Sequence, residues 1–276
     1  MSNQYNNKTF WENAHHSKLE DDSTISVAIR EVGGEDSPLG AQALYILRRL
    51  GLSRLLKKVN LTNAPSIFEV GSGGGYWSGY FQTRFTLGRF TGSDISPTAV
   101  ERLKGLYPKY QFHCLLENNA WKDIEQAGPY DLCLAIDVLY HITDDQQWDF
   151  VLRQLLGQVG DGGYAVISDY FFAEAREHPN HLHVKHRHLQ AYLDIFELCG
   201  FSVIEIQPIF YLLNRVKTGP FRDHNRILSA ILRRLSSFRI GLFILVGVDR
   251  LICKYLRPMN PSCRNRMLLV KREVKK

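Results

Sequence analysis

The stretch Phe68-Glu-Val-Gly-Ser-Gly-Gly-Gly75 constrains this chain more than any other. It continues the apolar start Ser66-Ile67 and precedes residues with helical spacing. Glycines between a strand and a helix let the chain turn tightly and let backbone approach a ligand closely. The helix that follows then presents unpaired N–H groups. A nicotinamide-binding turn needs G-x-G-x-x-G. Counted from Gly71, the third glycine falls on Tyr76; counted from Gly73, it falls on Ser78. That fingerprint therefore fails. An acidic-x-G-x-G-x-G string remains, formed by Glu69, Gly71, Gly73 and Gly75.

Around this turn the pattern alternates. Short apolar or β-branched runs predict strands over residues 66–70, 89–94, 110–115, 131–136, 164–168, 201–206 and 267–272. Helical spacing predicts helices over 76–84, from Pro97 to about 106 with Ser96 as N-cap, from Asp144-Asp145 to about 159, and over 182–198. Gly160-Asp-Gly-Gly163 reads as a turn, and Gly200 as a helix C-cap. The nearly all-apolar run at 131–136 fits a strand buried on both faces. Such alternation specifies an α/β class with a doubly wound, mostly parallel, seven-stranded sheet. It divides the chain into a helical cap at 1–64, a core at 65–207, a mainly helical insertion at 208–262, and a last strand with a basic tail at 263–276.

The glycine string resembles the first motif of class I SAM-dependent methyltransferases, which have a Rossmann-like fold. The stretch Gly92-Ser-Asp-Ile-Ser-Pro-Thr-Ala-Val100 is similar to their second motif. Ala135-Ile-Asp-Val-Leu-Tyr-His141, Gly160 to Ser168 and Phe196-Glu-Leu-Cys-Gly-Phe201 resemble later segments of small-molecule members, in the same order. The resemblance implies S-adenosyl-L-methionine (SAM) as cofactor. It implies that Gly71, Gly73 and Gly75 line it, that Glu69 orients the loop and the ligand's ammonium, and that Asp94 accepts the ribose hydroxyls, with Ile95 beside the adenine. Asp137 and Val138 would meet the cofactor after the fourth strand. Glu117 would stand in for the acidic residue that usually ends the third strand. Trp11, in Phe10-Trp-Glu12, resembles an aromatic entry segment that folds over the cofactor; a hydrophobic staple is the alternative.

The charge is asymmetric. Residues 215–276 hold 16 Lys/Arg against 3 Asp/Glu, a net +13, and the preceding residues hold 18 against 25, a net −7. A basic region surrounding the apolar run Ile240–Val248 fits peripheral contact with an anionic membrane. That run has nine residues, and a span takes roughly 20. Five cysteines without a C-x-x-C pair, and no apolar leader in the first ten residues, fit a cytoplasmic protein with reduced thiols.

Five histidines (178, 181, 183, 186 and 188) follow the fifth strand. No cysteine lies near them and no ligand spacing emerges, so no metal is expected. The expected chemistry is methyl transfer to an oxygen of a small molecule or glycan, lipid-linked or a natural-product intermediate. His186 is the first candidate for general base and His141 the second, with Tyr140, His183 and Arg187 at the acceptor. A nucleic-acid acceptor is disfavoured, because neither Asn-Pro-Pro-Tyr nor a Pro-Cys pair follows the fourth strand. A non-catalytic SAM-fold scaffold and a nicotinamide oxidoreductase are the other readings.

Overall fold

A computed structural model describes residues 6–16, 38–171, 176–177, 183–211, 234–235, 238–255 and 265–274. Two helices open it, α1 (Asn7–His16) and α2 (Pro38–Leu56). The alternating core follows: β1 (Ser66–Val70), α3 (Tyr76–Arg84), β2 (Arg89–Asp94), α4 (Pro97–Leu106), β3 (Gln111–Cys114), α5 (Ala120–Ala127) and β4 (Tyr130–Ile136). A 3₁₀ turn over Leu139–His141 leads to α6 (Asp145–Gly157) and β5 (Val159–Tyr170). After the short strands β6 (Arg176–Glu177) and β7 (Lys185–His186) come α7 (Leu189–Leu198), β8 (Phe201–Pro208), α8 (Arg239–Tyr255) and β9 (Asn265–Arg272).

Seven strands form one sheet in the order β3-β2-β1-β4-β5-β9-β8. All neighbours are parallel except β9, which runs against both β5 and β8. The strands are apolar on both faces, as a buried sheet requires. Along β5 and β9, Val166, Met267 and Leu269 point to one side, while Ala165, Ile167, Leu268 and Val270 point to the other. Helices α2, α3, α4 and α8 cover the first side, and α5, α6 and α7 the second. Val166 and Ile167 are sealed from water, and each such side chain contributes about 1.5–3 kcal/mol.

Local chemistry sets the helix starts. The Ser96 hydroxyl accepts from the Ala99 N–H with Pro97 in the first turn, and the Asp144 side chain accepts from the Gln147 N–H. Two expectations are corrected. The helix expected from Leu182 begins at Leu189: His188 is extended and its ring accepts from the Gln190 N–H. The backbone just before it pairs as β7 with β6, Arg176 opposite His186. Gly160–Gly163 is strand rather than turn, because β5 pairs from Val159 through a register shift between Tyr130 and Leu132. Within the helical insertion, α8 is described; residues 212–233, 236–237 and 256–264 lie outside the described part, as do His178 and His181.

Candidate functional site

The sheet order reverses direction between β1 and β4, and ligands of such folds sit at the carboxyl ends of the strands beside that switch. The glycine loop lies there. Gly71 has φ 75°, and a Cβ on it would sit 2.3 Å from the Val138 side chain. Both backbone angle and space require glycine. Gly75 caps α3, and a Cβ there would meet Leu103 at 2.6 Å. The loop is anchored to β2: the N–H groups of Gly71 and Ser72 donate to the Ser93 carbonyl at 2.7 and 2.9 Å.

Two carboxylates organise the loop. Asp94 ends β2, and its oxygens accept from the Gly73 N–H at 2.8 Å and the Ser96 N–H at 2.9 Å. These backbone bonds fix the Asp94 carboxylate at the mouth of the loop. Glu69 is buried under the loop and accepts from the Ser72 and Ser78 hydroxyls at 3.0 and 3.1 Å. Burial pushes its pKa up to about 8 against these two bonds.

A third carboxylate, Asp137, ends β4 with φ 58°, a left-handed conformation uncommon outside glycine. Its N–H donates to the Ser168 hydroxyl oxygen at 3.0 Å, and its Oδ1 accepts that hydroxyl's proton at 2.9 Å. Its Oδ2 forms an ion pair with Arg48 of α2. Arg48 is 1 % exposed, and its guanidinium lies 5.3 Å from the Phe210 ring and 5.9 Å from the Tyr45 ring. Burial alone would lower its pKa, but the Asp137 carboxylate outweighs that and holds it above the usual arginine value.

Above these groups stands a wall of rings. Helix α1 is latched to the start of α4, where Glu12 accepts from the Ser96 and Thr98 hydroxyls. Phe10 stacks on His183 at 4.5 Å, and Trp11 meets His141 edge-on at 4.7 Å. His141 Nδ1 lies 3.0 Å from the His183 carbonyl. A carbonyl only accepts, so Nδ1 carries the proton and Nε2 keeps its lone pair. Burial lowers the His141 pKa to about 3, opposed by this bond. Tyr140, Tyr170 and His186 form a triangle with centroid separations of 5.5, 5.4 and 5.8 Å. Burial holds both phenols protonated, Tyr170 at about 12 and Tyr140 well above its ordinary value.

The structure thus brings together Trp11, Tyr140, His141, His183 and His186, with Asp137, Val138 and the glycine loop below them. Glu69 and Asp94 hold the loop itself. Glu117 is exposed in the turn after β3, and Ile95 is half-buried, its carbonyl near the Cys114 thiol. Arg187 is committed to structure: it binds Asp145 and the Ile142 carbonyl and lies 4.6 Å from the Trp148 ring. The sequence reading missed Arg48, Glu12, Ser168 and Tyr170. Among the described residues no three His, Cys, Asp or Glu side chains gather as metal ligands.

A family model described as a methyltransferase domain matches residues 42–206 of the chain. The chain belongs to this methyltransferase family. The N-methyltransferase NodS from Bradyrhizobium japonicum, solved with S-adenosylhomocysteine, is similar in fold. The two share 14% identity over 96% of this chain and 99% of that one, with a TM-score of 0.52. The 1,6-didemethyltoxoflavin-N1-methyltransferase of Burkholderia thailandensis, also solved with that product, matches at 11% identity over 97% and 87%, TM-score 0.51. The StiE O-MT structure matches at 15% over 84% and 75%, TM-score 0.52. No curated protein matches in sequence.

The methyltransferase uses SAM, and the site suits it. The cradle at Gly71 is one that a Cβ would fill, and the acids flanking the loop suit a ligand with a cationic end and ribose hydroxyls. The chain's own mostly parallel seven-stranded sheet with helices is a Rossmann-like methyltransferase fold.

Proposed function

We propose that this methyltransferase acts on an oxygen of a small molecule, a glycan or a natural-product intermediate held against the ring wall over β4 and β5. The observation that carries this reading is the juxtaposition of Tyr140, Tyr170 and His186 with the glycine loop's side of the sheet. Aromatic faces bury the apolar surface of an acceptor, and protonated phenols donate hydrogen bonds that orient it.

SAM supplies an electrophilic methyl group on a sulfonium when bound. The protein's share is binding, orientation and exclusion of water. Gly71, Gly73 and Gly75 hold the cofactor with Asp94 on its ribose and Glu69 beneath the loop. Asp137, fixed by Arg48 and Ser168, and Val138 border it. Trp11 closes it from α1. His186 would take the proton that the acceptor hydroxyl gives up on methylation. His141 is held neutral with a pKa of about 3, too low to keep a proton near neutral pH, so it acts as a fixed acceptor. His183 packs at the acceptor side through its ring contact with Phe10.

The test is transfer of labelled methyl from SAM to a small-molecule extract, run beside calorimetric titration of SAM and S-adenosylhomocysteine. Wild type should bind both and label an acceptor. His186→Ala should bind them equally and label at least about 100-fold more slowly, and Asp94→Ala should lose binding. Full turnover in His186→Ala would remove its role as base. Binding without labelling of any acceptor would favour the scaffold reading.

A further inference from the structure

Helix α8 has two apolar sides. One packs inward through Leu242, Leu245, Val246 and Cys253. The other carries Ile240, Phe243, Ile244, Val248, Leu251 and Tyr255 into solvent, with Ile240 at 73 %, Phe243 at 65 % and Tyr255 at 74 % exposure. At 3.6 residues per turn these six side chains fall within an arc of about 140°. A soluble protein scatters single apolar side chains over its surface; a continuous stripe marks a contact.

The charges beside the stripe identify the contact. Arg239 and Arg250 are exposed along one edge of it, and Lys254 is exposed just inside that edge. The helix has one acid, Asp249, and it points inward, accepting from the Tyr211 N–H at 2.6 Å. The outer surface of α8 is therefore apolar and cationic only. A second copy docked face to face would bring like charges together. An anionic lipid surface takes the stripe among its acyl chains and the cations among its headgroups. The helix has 17 residues, and no described helix is long and apolar enough to cross a membrane, so α8 would lie in the interface plane.

We infer that the outer face of α8 docks the protein on membranes containing anionic lipid. This is independent of the acceptor, and it assigns to one helix face what the charge pattern assigned to residues 215–276 as a whole.

The test is co-sedimentation with phosphatidylcholine vesicles, with and without phosphatidylglycerol, at low and high salt. The full chain should bind the anionic vesicles and be released by salt. The pair Phe243→Asp and Ile244→Asp, both exposed and outside the core, should weaken binding at least about tenfold, with unchanged circular dichroism and SAM titration. No sedimentation with anionic vesicles at low salt would overturn the inference. So would binding that the double variant retains, which would place the contact on other cations. Concentration-dependent dimerisation abolished by the same variant would assign the face to a second copy instead.

Discussion

SAM binding should release a proton, and Glu69 should be its source. With a pKa of about 8 in the ligand-free protein, this carboxyl is neutral in about nine of ten molecules at pH 7. SAM brings an ammonium and a sulfonium, and a cation beside a buried acid favours its ionised form. Binding at pH 7 must first remove the proton, which weakens it about tenfold, or about 1.4 kcal/mol, relative to a pH well above 8. The apparent affinity should rise nearly tenfold per pH unit up to about 7 and level off above 8. Calorimetry at pH 7 in buffers of different ionisation enthalpy should report close to one proton released. S-adenosylhomocysteine lacks the sulfonium and should release less. Asp169, raised by burial to about 7, can add to the effect, so Glu69→Gln is the control: it should lose most of the release. The sign carries over to stability. A raised pKa means that Glu69's contribution to the ligand-free fold is full below about 4.5 and is lost as pH climbs through about 8. Thermal stability should therefore fall between about pH 4.5 and 8 and level off above that, less so in Glu69→Gln. A wild type that takes up protons on binding, or a Glu69→Gln variant that releases as many, would refute this account.

Two other perturbations test the scaffold beneath the site. Gly71→Ala should abolish SAM binding and destabilise the fold, because its Cβ would sit 2.3 Å from Val138 at φ 75°; adding Val138→Ala should relieve the clash but not the about 1–2 kcal/mol of backbone strain, read by denaturant titration. Arg48→Met should cost about 3–5 kcal/mol by leaving the Asp137 carboxylate without its counter-charge, with only the Ser168 hydroxyl on it, and Asp137→Asn in the same chain should restore part of it.

Much of this fold could be read from side-chain order because local chemistry and global packing agree. Tyr76–Arg84 and Arg89–Asp94 fall where the spacing predicts, and Ser96 and Asp144 cap where their short polar side chains suit an N-terminus. The disagreement at 182–188 has its cause just outside that segment: Lys185-His186 pairs with Arg176-Glu177, eight to ten positions upstream, and the apolar spacing of 182–198 does not register that pairing. Arg187 misled for a related reason. An arginine among histidines looks available for a ligand, yet Trp148 and Asp145 approach it from another helix. Arg48 was partly legible. It shares a helical face with Leu44, Leu52 and Leu55, while Arg49 points outward. Its partner Asp137 lies 89 positions away on a different element, so the periodicity shows burial without showing what makes burial tolerable.

The position of β9 has a consequence for biosynthesis. This strand fills the gap between β5 and β8, yet the ribosome makes it after the whole segment that follows β8. Until residues 265–272 emerge, β5 has an open edge and β8 has no neighbour to join it to the sheet. An open apolar edge is a template for wrong pairing. Premature termination between the end of β8 and residue 265 would release a chain with its whole glycine loop and a sheet that lacks the strand joining β5 to β8, so nascent chains of this protein should depend on chaperone protection late in synthesis.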